Sequence, residues 1–203
     1  MIIRKVPRII LLIILSGVLT SSIAGADSPM RSVEGMVEEV LTILNDEDLD
    51  WVKKKSGIRS VVLNGVNLRL MSQRILSRNW KETSEEERER FLKLFTELLE
   101  TTYIDRIEEY SDQRMEMVRE RVKGDRAIVD TLFITKKKQI PINYKLTRNE
   151  NKWLIFDIVI EEISLVSNYR ETYGEIIMKD GMEGLLVRME EKVKELKASR
   201  KGG

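Results

Sequence analysis

The 203-residue sequence has no cysteine and no histidine. Without cysteine there is no disulfide, no thiol nucleophile and no thiol-anchored lipid at an N-terminus. Without histidine, Ser-His-Asp and Cys-His catalysis, histidine zinc sites and the usual general base near neutral pH all drop out. An enzyme built on this chain would have to work with carboxylates, Lys, Tyr or Ser. Charge of one sign is missing too. The 35 Lys+Arg face 34 Asp+Glu, so the basic balance that would point to nucleic acid is absent. Proline occurs only at 7, 29 and 141, and there is no internal repeat, low-complexity linker, glycine-rich phosphate loop or nucleophile motif.

What is present starts at the N-terminus. Arg4, Lys5 and Arg8 form a positive segment, Ile9 to Leu15 is unbroken apolar sequence, and Ala24-Gly25-Ala26 supplies a small-x-small pattern. This predicts a signal peptide over 1–26, cleaved after Ala26, with 27–203 as a single exported domain. An uncleaved anchor is the alternative, but Thr20, Ser21 and Ser22 dilute the second half of a stretch already short of the ~20 residues a spanning helix needs. Residues 1–26 carry three basic and no acidic side chains, so cleavage turns the net charge from +1 to −2.

The first half of the mature chain reads as helix. Val33, Val37, Val40, Leu41 and Leu44 share one face of a helix over 30–45. Ser56-Gly57 reads as punctuation, with a second helical region from about Ile58 to Leu76 closed by Trp80. Ser84 and Glu87 form a capping box ahead of a stripe of Phe91, Phe95, Leu98, Leu99, Thr102 and Tyr103, extended by Ile107 and Tyr110. The period then falls from 3.6 to 2. Residues 114–122, Ile128–Ile134, Ile140–Leu146 beyond a Lys136–Lys138 turn, and Trp153–Ile160 beyond Asn149-Glu150-Asn151 read as strands. Short loops make them a four-stranded antiparallel meander. Helix returns after Ile160 with Leu165, Tyr169, Tyr173 and Ile176 on one face. A last helix starts at Asp180, with Met182, Leu185, Leu186, Met189 and Val193 inside. The fold class is α+β, with the meander covered by helices from both ends of the chain. The stripes suit an ordinary filled core or a sheet and helices held apart around an apolar cavity, and periodicity does not separate the two. Asp157, alone in a strongly apolar strand, is either a structural partner or a catalytic carboxylate.

Two segments resemble the MlaC family, periplasmic phospholipid-shuttle proteins also called toluene-tolerance proteins. Leu76-Ser77-Arg78-Asn79-Trp80, then Thr83, Phe91, Phe95, Leu98-Leu99, Thr102-Tyr103 and Tyr110, parallel the family's Leu-Gly-x-x-Trp, Thr, Phe-x-x-x-Phe and Thr-Tyr. Trp153 to Ile158 and Ile163 to Arg170 parallel its Trp-x-x-x-Asp-Val and Gly-Val-Ser-Leu-Val-x-Asn-Tyr-Arg. The resemblance covers roughly residues 29–195. Ser77 and Glu162 stand where the family usually has glycine, and Tyr173 where Phe is common.

The resemblance implies a periplasmic carrier with no cofactor, holding phospholipid as cargo. It would exchange that lipid between an outer-membrane lipoprotein–porin complex and an inner-membrane ABC-transporter complex. Acyl chains would lie between sheet and helices, the headgroup at the mouth. Expected acyl contacts are Ile142, Tyr144, Phe156 and Ile158 from strands, with Phe95, Leu99 and Tyr169 from helices. An ionised Asp157 needs a partner, and Arg170 is the nearest basic residue on the following helix, so a structural Asp157–Arg170 pair is expected, direct or through Tyr169. The alternatives are a periplasmic enzyme with Asp157 as base and an adaptor that docks a protein through the charged helix 84–110.

Overall fold

The computed structural model describes residues 28–104, 114–135 and 138–199. The expected signal peptide over 1–26, the Ile107–Tyr110 extension of the third stripe and Lys136 and Lys137 of the expected turn lie outside these residues.

Helix α1 (Pro29–Asn45) begins where the chain invites it, with the Ser28 side chain accepting from the Arg31 N–H and proline at the first helical position. Helix α2 (Trp51–Gly65) is capped by Asp50, whose carboxylate accepts from the Lys53 N–H at 2.9 Å. The break expected at Ser56-Gly57 is not there, because both residues lie inside α2. A Cβ on Gly57 would stand 3.2 Å from Ile43 Cδ1, and one on Gly65 would stand 2.9 Å from Met36 Sδ. These glycines let α1 and α2 approach closely instead of turning the chain. The break comes at Val66-Asn67. There the Asn67 N–H donates to the Ile155 carbonyl at 2.8 Å, and the Asn67 side chain caps α3 (Leu68–Leu76). A single turn, α4 (Asn79–Glu82), leads to α5 (Glu85–Thr102), where both halves of the Ser84–Glu87 capping box form.

The sheet runs β1 (Arg114–Lys123), β2 (Arg126–Ile134), β3 (Gln139–Asn149), β4 (Lys152–Ile160) and β5 (Ile163–Ser164), each antiparallel to its neighbour in sequence order. The expected four-stranded meander gains a fifth strand of two residues, folded back onto β4 by the Glu161-Glu162 turn. Two bulges interrupt the ladder. Met117 and Arg119 oppose Thr131 and Asp130, leaving Val118 extra, and Lys145 and Leu146 oppose Asp157 and Ile155, leaving Phe156 extra. The chain ends in α6 (Leu165–Ser199), two helices joined across non-helical Gly181, where the last helix was expected to begin.

Three apolar clusters result. One joins α3, α5 and α6 around Phe91, Phe95, Tyr173 and Leu186. A second joins Val33 of α1 to the inner sheet face at Val129, Leu146 and Ile155. A small third holds Leu44, Ile58 and Ile104. The separation of these clusters is what leaves room between them.

Ser77 and Glu162, the two residues standing where the family usually has glycine, both take positive φ, 52° and 72°. L-residues pay about 1–2 kcal/mol for that conformation. Ser77→Gly should therefore stabilise the fold by roughly 1 kcal/mol, less the extra entropy glycine gives the unfolded chain. Thermal melts should show Tm raised by about 2–4 °C, whereas Ser77→Ala should show no gain.

Candidate functional site

Between the sheet and the helices lies a chamber of about 370 Å³. Its sheet wall is built from the inner-facing positions of four strands. Met115, Phe133, Ile142 and Tyr144 come from β1 to β3, and Ile155, Ile158 and Ile160 from β4. Met36, Val37, Val40 and Leu41 of α1 face them, with Val62 and Val66 of the α2 end and Leu99, Tyr103 and Ile104 at the end of α5.

The lining is almost without polarity. Thr96 spends its hydroxyl on the Leu92 carbonyl at 2.8 Å. The buried Tyr144 hydroxyl points to Met115 Sδ at 3.6 Å, and burial pushes its pKa well above the ordinary tyrosine value, so it stays neutral. Glu100 is the one charged lining residue among those described, and Arg59 Nε donates to its carboxylate at 2.5 Å. Such a space offers contact area and exclusion of water. Among the described residues it offers no base, nucleophile or acid free to act, and no group of three or more His, Cys, Asp or Glu that could hold a metal.

Leu99, Ile142, Tyr144 and Ile158 line the chamber, and three other expected contacts do not. Phe95 lies in the helical core, stacked on Phe91 at 5.7 Å, and Tyr169 packs edge-on against Phe95 at 5.2 Å. Phe156 is the extra residue of the β4 bulge. Simple alternation would place it beside Ile158, but the bulge turns it out of the chamber and under the Arg74 guanidinium, 4.4 Å from its ring centre. Most of the α1 and α2 wall went unassigned from sequence. The signal was present as the Val37, Val40 and Leu41 stripe, but periodicity does not say whether such a stripe meets side chains or space.

The Asp157–Arg170 pair is not formed. Asp157, only 3% exposed, accepts from Lys145 Nζ at 2.9 Å, from Ser164 Oγ at 2.8 and 3.0 Å, and from the Val166 N–H at 3.1 Å. Lys145 sits directly opposite in the ladder, and the first turn of α6 brings a free N–H closer than any side chain one turn further on. Arg170 Nε donates instead to the Arg74 carbonyl at 2.7 Å. Asp157 thus fastens β3, β4, β5 and α6 at one point.

Fold and chamber together define a class of α+β protein in which a helix-backed antiparallel sheet holds an apolar space apart from its packed cores. The family model described as MlaC protein matches residues 34–191, and the chain belongs to the MlaC family, as its sequence motifs indicated. Among curated proteins it is similar to the intermembrane phospholipid transport system binding protein MlaC of Haemophilus influenzae. The two are 26% identical in a match that takes in 66% of this chain and 65% of that protein. Among solved structures it is similar to the phospholipid-binding protein from Ralstonia solanacearum, determined in complex with a phospholipid. The TM-score is 0.76 at 22% identity, covering 83% of this chain and 98% of the other, and this likeness establishes the fold.

With four hydrogen bonds to a buried carboxylate at stake, Asp157→Asn should lose about 2–3 kcal/mol of stability in urea titrations. Arg170→Gln should cost under about 1 kcal/mol, since only one bond to a carbonyl is lost. Equal losses in the two variants would restore the expected pair.

Proposed function

We propose that this protein is a periplasmic phospholipid carrier that receives lipid from one membrane-bound transport complex and delivers it to another across the envelope. The observation that carries the reading is the chamber of about 370 Å³ with a single, already paired, charged side chain in its lining among the described residues. Membership of the MlaC family and a curated relative named for intermembrane phospholipid transport support it. The family resemblance points to an outer-membrane lipoprotein–porin complex and an inner-membrane ABC-transporter complex as the two partners. The Arg4-to-Ala26 segment supports export by a cleaved signal peptide.

The physical need for such a carrier is large. Two acyl chains hold about 30 methylenes, and at ~0.8 kcal/mol each their exposure to water costs on the order of 24 kcal/mol. A carrier offsets that cost with apolar contact, and it must exchange cargo while docked. Recognition through contact area implies loose headgroup selectivity.

The alternatives lose their footing in particular residues. An enzyme using Asp157 would need a free carboxylate, but its oxygens are taken by Lys145, Ser164 and the Val166 N–H. An adaptor using α5 would need its apolar face free, but Phe91, Phe95 and Leu98 are buried against neighbouring helices. Its charged face is tied to those neighbours by Arg69–Glu85, Arg90–Glu183 and Lys197–Glu97.

Mass spectrometry of organic extracts should recover diacyl phospholipid near one per chain, and extracts no richer in lipid than a control protein would reject the carrier. Leu99→Glu should lower the lipid recovered per folded chain, because an unpaired carboxylate in an apolar space costs several kcal/mol. Ile142→Trp, which fills the same space without charge, should act in the same direction. Loading unchanged in both folded variants would place the cargo elsewhere.

A further inference from the structure

A second concavity, about 470 Å³, lies on the other face of the sheet. Its floor is a cross-strand row in which Arg121 opposes Ile128, Ile128 opposes Lys145 and Lys145 opposes Asp157. Lys123 and Arg126 at the β1–β2 turn close one side. Arg74 of α3 and Val166, Ser167 and Arg170 of α6 close the other.

Six cations and one carboxylate line this groove in a chain whose net charge is +1. Two of the cations are compensated, Lys145 by Asp157 at 2.9 Å and Arg121 by Asp130 at 3.0 Å. Arg74, Lys123, Arg126 and Arg170 have no carboxylate partner among the described residues. Arg74 Nε is buried and has no hydrogen-bond partner there either. Its guanidinium is fixed by the Phe156 ring beneath it, while Arg170 is held by its bond to the Arg74 carbonyl. Burial, and after it the charges of Arg126 and Arg170, lower the pKa of Arg74, and the charge of Asp157, already bonded to Lys145, offsets this only in part.

Chance does not gather uncompensated guanidiniums in a concavity at no cost, because like charges repel and a buried donor without an acceptor costs free energy. We propose that this groove binds a phosphate ester, with Arg74, Arg126 and Arg170 donating to one phosphate group. Three guanidiniums that line one concavity, two of them close enough to Arg74 to act on its pKa, suit a tetrahedral dianion, which accepts from several guanidiniums at a single centre. The carboxylates of an acidic peptide take one fork each and spread along a surface. The volume fits a small ligand or one lipid headgroup, and Val122, Ile128, Phe156 and Val166 give that ligand an apolar side to lie on. The phosphate belongs either to a soluble ester or to the headgroup of an anionic membrane lipid. The site is separate from the chamber and does not depend on what the chamber carries.

The test uses the full chain and the double variant Arg126→Gln, Arg170→Gln, both exposed positions that leave Arg74 in place. Glycerol 3-phosphate is titrated by NMR, with the amides of Ile128, Val166 and Ser167 as reporters. Vesicles of phosphatidylcholine, with and without phosphatidic acid, are tested by flotation, and a poly-glutamate peptide is the competitor. Lipid recovered in organic extracts reads the chamber separately and should be equal in the two proteins. A soluble ester is the source if glycerol 3-phosphate moves those amides and the double variant weakens it about tenfold or more. A membrane headgroup is the source if only phosphatidic acid vesicles retain the chain and the double variant is released. Binding of neither probe above a chloride control, or poly-glutamate binding tighter than both, overturns the proposal.

Discussion

One extra residue in β4 organises this molecule. Between the pairs Lys145–Asp157 and Leu146–Ile155 the bulge inserts Phe156, and the alternation of the strand changes phase there. Ile155 and Ile158 consequently both face the chamber, while Phe156 and Asp157 both face the opposite groove. Ile155 also gives its carbonyl to Asn67, which ends α2 and starts α3, and Asp157 receives the first turn of α6. An unbulged β4 would keep Ile155 and Asp157 on the same face, so the carboxylate would point into the apolar space and the helices on both sides would lose their attachment points.

The bulge also marks where the sequence stops being legible. The helix start at Ser84 follows from its capping box and the strands from period 2, so both were legible without tertiary information, whereas the Asp50 cap of α2 went unread and that helix was expected only from Ile58. Phe156 was misplaced because alternation carries no mark of an inserted residue. Arg170 was misassigned for a different reason, since a backbone N–H is equally present at every residue and does not announce itself as a competitor. Gly57 in the middle of α2 looked like a turn because close helix packing and chain reversal call for the same residue. The positive φ at Ser77 and Glu162 is the reverse case, where the comparison with glycine in the family motif pointed to a backbone constraint that the residues themselves conceal.

The two faces of the sheet divide the protein's chemistry between them. Inside, polar groups are few and satisfied, which is the condition for an apolar space to stay dry. Outside, the strands carry Asp130 held by Arg119, Arg121 and Asn143, and beside it the groove in which cations outnumber their partners. A balanced total charge therefore conceals a strongly uneven surface, and net charge alone gives a poor forecast of what such a chain attracts.

The close fit of α1 on α2 has a mechanical consequence. With Ile43 seated over Gly57 and Met36 over Gly65, the two helices interlock as a double plate and resist sliding or peeling apart. α2 is fastened to β4 through Val66 and Asn67, whereas α1 rests its side chains on the sheet and joins it at the Met30 N–H, which donates to Glu120. α1 and α2 therefore meet the sheet as one unit, held at β4 through α2 and at β1 through α1, so neither helix can leave the chamber wall without the other.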